Sequence, residues 1–519
     1  MARVPLLVSF SLALFAAAWC IGNPPSAGPD EVDHYVSALA AGGFDLRGRP
    51  PGSQYTTYIK RQEAQAQRAG DTRRVEQHRW IFRTAREFTV PAHFMLSSFA
   101  CASGKPRRSW ACLDDGRPST DGPARPTAAE GTYPPFVYIP SGLLMRTADD
   151  GQSAFRLGRL VGAGISVALL SAAAFLLWSP AAGAVSLSGF MLTVTPMVLF
   201  LGSIVSASGP EIASSVCFTA ALIRLSRASI PGRWVWLALG GSGAVLALSR
   251  PLGPVFPVFI VLALAVLVGP ARLLESVKAG AAAMTAWLAV AAALGAALLW
   301  GIAYGARPEY GAADVLGEVP SSVKELPHVL REAVGYFGPL DSPLPRPAFF
   351  LWLLALAALI VWALVIADRR GRLGLGLLGA GVLGAAMLGM SAVLATGFVP
   401  AARHVLPLLV VVPLCAGELL SRRAEQTPDA RLDVFALGVA VLAPCVQAIG
   451  WYANGRRVAV GSDGSWLFPF EADWSPPAGW VPWVVLVGVA TATYLIAGIA
   501  AARPGAERAR PREAVLTAG

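Results

Sequence analysis

A short acidic segment near the N-terminus carries side chains that could move a proton or bind a metal ion. Residues 29–34 read P-D-E-V-D-H, and Pro29 followed by acids is typical of the first turn of a helix. On such a helix Asp30 and His34 share a face, and Glu31 lies three positions from His34. Asp30, Glu31 and His34 could form a general base or a divalent-metal site, or they could simply begin a helix.

Four arginines, Arg250, Arg403, Arg456 and Arg457, lie at the ends of apolar runs that we expect on the outer side of a membrane. Positive charge is usually enriched on the inner side, so an anion outside should balance these residues. The planar guanidinium group makes paired, charge-assisted hydrogen bonds to phosphate, which makes the four arginines candidates for a phosphate site. The alternative is that they extend towards lipid headgroups.

Two further residues are candidates for binding a substrate in a polar cavity. Glu211 begins an apolar run after Ser-Gly-Pro, where a carboxylate is costly unless it faces such a cavity or stabilises the start of a helix. Tyr133 opens the segment Y-P-P-F-V-Y-I-P, whose prolines enforce an extended path. Its aromatic rings suit a membrane interface or stacking on a sugar.

The chain that must position these residues is too apolar for a water-soluble enzyme. Of its 519 residues, 55% are hydrophobic and 14% are charged, and its mean hydropathy is +0.55, whereas soluble domains carry about 25% charged residues. This composition excludes a soluble enzyme, a disordered chain and a disulfide-rich secreted scaffold. It predicts an all-α polytopic membrane protein with about twelve membrane-spanning helices. The apolar runs are 4–21, 153–178, 184–205, 210–226, 233–249, 251–270, 281–304, 347–367, 372–396, 401–420, 432–453 and 481–502.

Positive charge in the short loops predicts the orientation of the chain. With a cytoplasmic N-terminus, the inner loops carry arginines such as Arg227, Arg370 and Arg422, as the positive-inside rule requires. Both termini of this multi-pass protein of the cell membrane then lie in the cytoplasm. The predicted first helix spans residues 1–21, although a cleaved signal peptide is an alternative there.

The same orientation divides the chain into membrane and outer parts. The predicted parts are the first transmembrane helix (1–21), a large extracytoplasmic loop domain (22–152), helices two to seven (153–304), a second outer loop (305–346), helices eight to eleven (347–453), a third outer loop (454–480), the last helix (481–502) and a cytoplasmic tail (503–519).

Two of the six cysteines differ from the others in their surroundings. Cys101 and Cys112 lie in a polar stretch of the first outer segment, where an oxidising compartment would let them pair. A metal site is less favoured there, because no CxxC spacing or local histidine pair accompanies them. We therefore predict a disulfide between Cys101 and Cys112. The remaining cysteines lie singly in apolar runs, as small buried side chains do.

Taken in order along the chain, these motifs resemble those of a family of predicted multi-spanning bacterial membrane proteins, known as domain of unknown function 2142. That family is similar to the GT-C superfamily of membrane glycosyltransferases. Residues 29–34 resemble the family's P-D-E-x-x-H, and residues 133–136 its Y-P-P-aromatic element. Residues 456–461 and 474–477 are similar to its closing outer loop. The chain departs from the family at Gly209, where an asparagine often stands, and at residues 401–404, which read A-A-R-H instead of Q-G-R-Y.

The resemblance implies a GT-C-like fold and an inverting glycosyltransferase that uses a polyprenyl-phosphate-linked sugar. The acceptor would be a glycan or lipid of the cell envelope. Asp30 or Glu31 would be the essential acid, and His34 would orient it or join it around a divalent metal, the one possible cofactor. Arg250, Arg403 or the pair Arg456 and Arg457 would stabilise the departing phosphate.

Two other functions remain open at this point. A lipid or polysaccharide transporter would use the same arginines to grip a phosphate, but transporters usually show internal repeats, and we find none in the sequence. A non-catalytic membrane scaffold of envelope assembly is the other alternative, which the departures around Arg403 allow. No nucleic-acid-binding motif is present in the sequence. The composition predicts the lipid bilayer as a partner, and the resemblance implies the polyprenyl-phosphate-linked sugar and its glycan or lipid acceptor.

Overall fold

In a computed structural model of the chain, which describes residues 3–96, 101–113, 122–227 and 232–502, helices dominate every region. The side chains at positions 268 and 272 are not part of this description. The predicted cytoplasmic tail, residues 503–519, lies outside the described residues.

The N-terminal part consists of one long apolar helix followed by a polar segment of short helices and strands. Asp71 caps one of these helices, because its carboxylate accepts a hydrogen bond of 3.0 Å from the backbone N–H of Arg74. Two antiparallel strand pairs join distant parts of the polar segment, β1 (Arg86–Glu87) with β4 (Thr127–Ala128) and β2 (Val90–Pro91) with β3 (Pro123–Ala124). The helices are α1 (Arg3–Gly22), α2 (Glu31–Gly42), α3 (Ser53–Arg68), α4 (Thr72–Thr84) and α5 (Ile139–Met145).

The middle of the chain is almost continuously helical and apolar. Its first helix begins at a clear cap, since the Asp150 carboxylate accepts a 2.8 Å hydrogen bond from the backbone N–H of Ser153. The helices are α6 (Gly151–Leu177), α7 (Val185–Thr193), α8 (Pro196–Gly202), α9 (Ser208–Arg227), α10 (Arg233–Leu248), α11 (Val255–Val268), α12 (Pro270–Val277) and α13 (Ala281–Tyr304).

The C-terminal part begins with a second polar segment, which contains the antiparallel pair β5 (Tyr336–Phe337) and β6 (Ser342–Pro343). A 3₁₀ turn, Ala402–His404, lies between the longer helices. The helices are α14 (Ala312–Gly317), α15 (Val319–Gly335), α16 (Arg346–Ile366), α17 (Arg369–Ala395), α18 (Leu406–Leu409), α19 (Val411–Gln426), α20 (Ala430–Val460), α21 (Phe468–Glu471) and α22 (Val481–Ala502).

Within the described residues, 7 helices are long and apolar enough to cross a membrane. They are α1, α6, α13, α16, α17, α20 and α22. The pair α7 and α8 is bent by 61° and would form one further span if counted together. The all-helical membrane architecture is therefore as predicted, and seven of the twelve predicted runs are candidate spans.

The other five predicted runs take different forms, and helix breaks account for two of them. The run 184–205 is divided at Thr195, whose hydroxyl caps the start of α8 at Pro196, and the run 401–420 divides into a 3₁₀ turn, α18 and α19. The runs 233–249 and 251–270 form the shorter helices α10 and α11, and 210–226 forms α9. Conversely, α20 continues to Val460, seven residues into the predicted third outer loop.

The broken helices lie in the interior of the molecule. Every residue of α7 and α8 is buried, and α7 packs closely on α19. At this crossing a side-chain carbon at Gly189 would lie 2.4 Å from the carbonyl oxygen of Pro413 and 2.9 Å from the Cα atom of Gly417. Small residues at both positions let the two helix backbones approach, as is common between membrane helices.

Candidate functional site

A cavity of about 330 Å³ lies where the first polar segment meets the ends of several helices. One part of its wall is charged and the other part is apolar. The charged and polar lining includes Asp30, His34, Glu130, Tyr133, Glu211, Arg250 and Arg403, and the apolar lining includes Leu252, Phe256, Val393, Phe398 and Val399. Six of the residues singled out in the sequence therefore line one space, although they come from distant parts of the chain.

Asp30 lies at the turn immediately before α2 and forms an ion pair with Arg403. Its backbone is left-handed, with φ 53°, a conformation that aspartate tolerates better than most residues. The Asp30 side chain remains 41% exposed, into the cavity. The carboxylate is thus both paired with a guanidinium group and open to a small molecule in the cavity.

Arg250 connects the ion pair to the opposite wall of the cavity. Its Nη1 atom donates to the Arg403 carbonyl oxygen at 3.2 Å and lies 3.4 Å from Glu211 Oε2. Its guanidinium carbon lies 5.7 Å from the centre of the Tyr133 ring. Asp30, Arg403, Arg250 and Glu211 therefore form a continuous series along the wall, in which two guanidinium groups lie between two carboxylates.

Three buried polar atoms at this cavity have no hydrogen-bond partner among the described residues. They are Glu130 Oε2, Glu211 Oε1 and Arg403 Nη1. Buried polar groups in proteins are nearly always satisfied, by protein, water or ligand. Two acceptors and one cationic donor without partners in one cavity are the arrangement expected where a polar ligand binds.

Glu130 was not among the residues that the sequence analysis selected. It lies three positions before Tyr133, and its side chain joins Asp30 in the cavity lining. Its position close to the Y-P-P element could have indicated a role at the same site. A single acid within a long polar segment is common, however, and does not by itself predict a functional residue. Glu130 is the third carboxylate in the cavity lining, beside Asp30 and Glu211. Asp33 lies close to Asp30 and Glu130.

The carboxylates near the cavity differ in their protonation behaviour. Burial is the largest influence on Asp30 and opposes its ionisation, but the charge and hydrogen bond of Arg403, together with the charges of His34 and Arg250, outweigh it and hold the pKa of Asp30 below its ordinary value. Burial, together with the charges of Asp33 and Asp30, raises the pKa of Glu130 well above its ordinary value. Burial likewise raises the pKa of Asp33 to about 6. The pKa values of Asp30 and Glu130 are therefore shifted in opposite directions although both carboxyl groups face the same space.

His34 is buried and neutral beside this group. Burial lowers the pKa of His34 to about 3 against the opposing effect of Asp30, and Arg403 and Arg250 lower it further. Its Nδ1 atom lies 2.7 Å from the Tyr138 hydroxyl, which holds the ring in place. A neutral imidazole in this position can orient a ligand or a carboxylate through a hydrogen bond.

Glu31 lies outside the cavity, contrary to the sequence expectation that it could share the role of Asp30. It is fully buried and makes a bidentate ion pair with Arg159, with both N···O distances 2.7 Å. Its two oxygens also accept hydrogen bonds from the backbone N–H groups of Gly28 and Val205, at 3.0 and 2.9 Å. These contacts join the start of α2 to the preceding turn, to α6 and to the loop between α8 and α9, so its position is structural.

Arg456 and Arg457 also lie away from the cavity. Arg457 is buried in an ion pair with Asp341, at 2.6 Å, and donates to the carbonyl oxygens of Ala102 and Arg108. Arg456 donates to the Gly464 carbonyl oxygen and stacks over the Trp466 ring at 4.3 Å. Because α20 extends further than predicted, both arginines lie on this helix, and Arg457 contacts residues of the first and second polar segments.

The predicted disulfide is present, and it closes the loop that Arg457 holds. Cys101 and Cys112 are joined, with their Cα atoms 6.0 Å apart. The predicted metal ligands are not assembled, because Glu31 is bound to Arg159. Across residues 3–96, 101–113, 122–227 and 232–502, no group of three or more His, Cys, Asp or Glu side chains is placed to hold a metal ion.

The family model for predicted membrane proteins of the DUF2142 type matches residues 12–412. The chain belongs to this family. Every residue that lines the cavity falls within the DUF2142 match, whereas Arg456 and Arg457 lie beyond it. No curated protein and no solved structure matches the chain.

Proposed function

We propose that this DUF2142 protein is a GT-C-like glycosyltransferase of the cell membrane, with both termini cytoplasmic and the cavity on the extracytoplasmic face. It would move a sugar from a polyprenyl-phosphate donor to a cell-envelope glycan or lipid. The observation that carries the proposal is the cavity itself, in which the Asp30 carboxylate, two guanidinium groups and an apolar wall face one space. A lipid-linked sugar phosphate needs these three kinds of contact.

The proposed reaction is a direct displacement at the anomeric carbon of the sugar. The acceptor hydroxyl gives its proton to Asp30 as its oxygen attacks, and the bond to the lipid phosphate breaks. Arg403 and Arg250 stabilise the charge that develops on the departing phosphate. Since the attacking and leaving oxygens lie on opposite sides of the carbon, the anomeric configuration inverts.

The ion pair between Asp30 and Arg403 couples binding of the donor phosphate to the basicity of Asp30 in this reaction. When a phosphate draws the Arg403 guanidinium towards it, Asp30 loses part of the positive charge that holds its pKa down. The carboxylate then becomes a stronger base at the moment when the donor is bound. Burial raises the pKa of Glu130, which favours the protonated form that donates a hydrogen bond to a sugar hydroxyl, and His34 positions its neighbours.

In this proposal the apolar wall of the cavity binds the donor lipid, and an adjoining groove binds the acceptor. Leu252, Phe256 and Phe398 offer a surface for the first units of a prenyl chain. A polar groove of about 860 Å³ between α4, α14 and α15 shares Trp80, Tyr310 and Thr396 with the cavity. We assign this groove, built by residues of the 22–152 and 305–346 segments, to the acceptor.

The test is transfer by the purified protein from a radiolabelled polyprenyl-phosphate sugar to an envelope-extract acceptor. We expect Asp30→Asn to lower turnover by about 10²–10⁴-fold, the usual contribution of a general base. Arg403→Lys should lower turnover by about 10²-fold, because lysine keeps the charge but loses the planar fork. The matched control is Asp463→Asn, which changes a 67% exposed aspartate outside the cavity.

Full turnover by the folded Asp30→Asn protein would reject the assignment of the base. Loss of activity in the Asp463→Asn control at the same level would show that the assay reports damage to the fold. Donor binding, measured separately by equilibrium binding of the labelled lipid, should survive Asp30→Asn and weaken in Arg403→Lys.

A transporter is the second candidate, and the bent pair α7 and α8 is the observation that favours it. Broken helices in the membrane are typical of transporter binding sites. However, no residue of α7 or α8 lines the cavity that holds Asp30 and Arg403. Movement of a labelled polyprenyl-phosphate sugar across protein-containing vesicles, with no product formed, would favour transport over transfer.

A further inference from the structure

A second, smaller pocket lies on the far side of the segment that carries Glu130 and Tyr133. Its volume is about 300 Å³, and we call it the arginine pocket. The two charged residues in its lining, Arg47 and Arg86, are both cationic. The full lining is Arg47, Gly48, Arg86, Gly131, Thr132, Trp300, Ala303, Tyr304 and Gly305.

Neither arginine forms an ion pair within the described part of the chain. Arg86 is half-buried, and its Nη1 atom donates to the carbonyl oxygens of Arg83 and Ala85, at 2.9 and 2.7 Å. Arg47 lies over the Tyr304 ring, with its guanidinium carbon 4.4 Å from the ring centre. Burial lowers the pKa of Arg86, as expected when a cation is removed from water without an anion beside it.

The backbone around Arg86 is shaped to admit this side chain. A side-chain carbon at Gly131 would lie 2.5 Å from Cβ of Arg86, and one at Gly48 would lie 2.9 Å from the same atom. Gly48 also has a left-handed backbone, with φ 59°, which glycine adopts without strain. Arg86 is therefore seated between two glycines, so its place beside the pocket is set by the fold.

Among the residues that the structure describes, no acidic side chain lines the arginine pocket. The two oxygens of Asp45 accept hydrogen bonds from the backbone N–H groups of Gly48 and Thr89, each at 3.2 Å. Glu130, adjacent to Gly131, lines the larger cavity instead. The pocket therefore offers an anion from outside the chain two guanidinium groups and, among its described lining residues, no competing carboxylate.

The position of the pocket indicates where that anion comes from. Trp300 and Tyr304 belong to the last turns of α13, a candidate membrane span, and Trp300 donates to the Thr132 carbonyl oxygen at 3.1 Å. On the same helix Leu299 and Ile302 are 69% and 74% exposed, as residues that face lipid would be. Aromatic residues at a span's end mark the level of the lipid headgroups.

We propose that the arginine pocket binds the phosphate of an anionic phospholipid at the end of α13. Paired guanidinium groups match a phosphate, and basic pockets beside membrane helices are typical headgroup sites. The site is separate from the cavity that holds Asp30, and it does not depend on the proposed transferase activity. A bound lipid would fix the first polar segment to the membrane surface through Arg47 and Arg86.

The test is native mass spectrometry of the full chain in detergent with added lipid. We expect phosphatidylglycerol to bind about tenfold or more tightly than phosphatidylcholine with the same acyl chains. The double variant Arg47→Gln/Arg86→Gln should lose this preference, since each arginine near a headgroup contributes substantially to binding. The matched control is Arg456→Gln, which removes an arginine that also stacks on an aromatic ring and donates to a carbonyl group but does not line the pocket.

A second variant, Ala303→Phe, fills the pocket without changing any charge, and it should weaken phosphatidylglycerol binding by a similar factor. Equal binding of the two lipids to the wild type, or an unchanged preference in both variants, would overturn the proposal. Competition by inorganic phosphate distinguishes a lipid headgroup from a soluble anion as the ligand of the pocket. If it competes with phosphatidylglycerol at equal concentration, the pocket holds a soluble anion and the lipid assignment is wrong.

Discussion

Asp30 and Glu31 are adjacent carboxylates with opposite surroundings. Asp30 faces the cavity and a guanidinium group that can be displaced, whereas Glu31 is enclosed by Arg159 and two backbone N–H groups. Asp30 lies in the left-handed turn before α2, whereas Glu31 is the first residue of the helix, and the two side chains face different surroundings. For the same reason we assign proton transfer to Asp30 and a purely structural role to Glu31.

Glu31→Gln should destabilise the protein by about 3–5 kcal/mol, because it leaves the buried charge of Arg159 without its partner. The measurement is thermal unfolding of the purified protein in detergent, with Asp463→Asn as the control at an exposed carboxylate. An unchanged melting temperature for Glu31→Gln would contradict the structural role.

His34 gives the stability of the fold a defined dependence on pH. The unfolded chain binds a proton at this histidine near pH 6.5, but the folded protein binds it only near pH 3. Between these values the unfolded state holds more protons, so stability falls as the pH falls, by about 1.4 kcal/mol per pH unit from this residue. The raised pKa values of Asp33 and Glu130 act in the opposite direction.

Comparison with His34→Gln isolates the contribution of the histidine. Glutamine keeps a hydrogen-bonding group towards Tyr138 but does not titrate. We expect the melting temperature of the wild type to fall more steeply than that of His34→Gln between pH 6.5 and 4.5. Parallel curves for the two proteins would show that His34 is not held neutral by the fold.

At the scale of elements, the long uninterrupted apolar helices could be predicted from the sequence, and the broken ones could not. Runs such as 281–304 and 481–502 became α13 and α22 with nearly the same bounds. Hydropathy counts apolar residues but does not report where Thr195 and Pro196 interrupt the backbone. The run 184–205 is long enough for one span and is predicted as one, although the chain bends by 61° between α7 and α8.

The cavity shows the same division between what a sequence reveals and what packing decides. Arg250 and Arg403 could be recognised because charge at the end of an apolar run is unusual, and Asp30 because it lies in an acidic segment with His34 four positions away. Whether an arginine meets a ligand or another part of the protein depends on tertiary contacts. Arg457 also lies near the end of an apolar run in the sequence. In the structure, however, it pairs with Asp341 and donates hydrogen bonds to carbonyl groups of the disulfide loop.

The crossing of α7 and α19 depends on the small residues at its centre. Gly189→Val should destabilise the protein by about 1–3 kcal/mol or more, because the added carbons would meet the backbone of α19. The matched control is Gly438→Val on α20, where no atom lies within 4 Å of the new carbon. Melting temperature and monodispersity in detergent distinguish the two variants, and equal losses would indicate that helix propensity rather than the crossing is responsible.

At the scale of the whole molecule, the proposed orientation makes a prediction about access from outside the cell. A cysteine introduced at Ser475, an exposed residue of the third polar segment, should react with a membrane-impermeant maleimide in intact cells. A cysteine at Ala279, exposed between α12 and α13, should react only after the cells are permeabilised. The reverse pattern would place the cavity on the cytoplasmic side.

The native cysteines leave this experiment a low background. Cys101 and Cys112 are joined, and the free cysteines Cys20, Cys217 and Cys415 are buried, whereas Cys445 is partly accessible. Replacement of Cys445 by alanine removes the remaining reactive group. Orientation can then be read from one introduced thiol at a time.

The ion pair between Glu31 and Arg159 also has a consequence for biosynthesis. Its two members are 128 residues apart in the chain, and a ribosome adds about 5–20 residues per second. Glu31 is therefore made roughly ten seconds before its guanidinium partner exists. Throughout that interval Glu31 lacks the guanidinium group that balances its charge in the folded protein, so the packing of α2 against α6 can form only after α6 has been made.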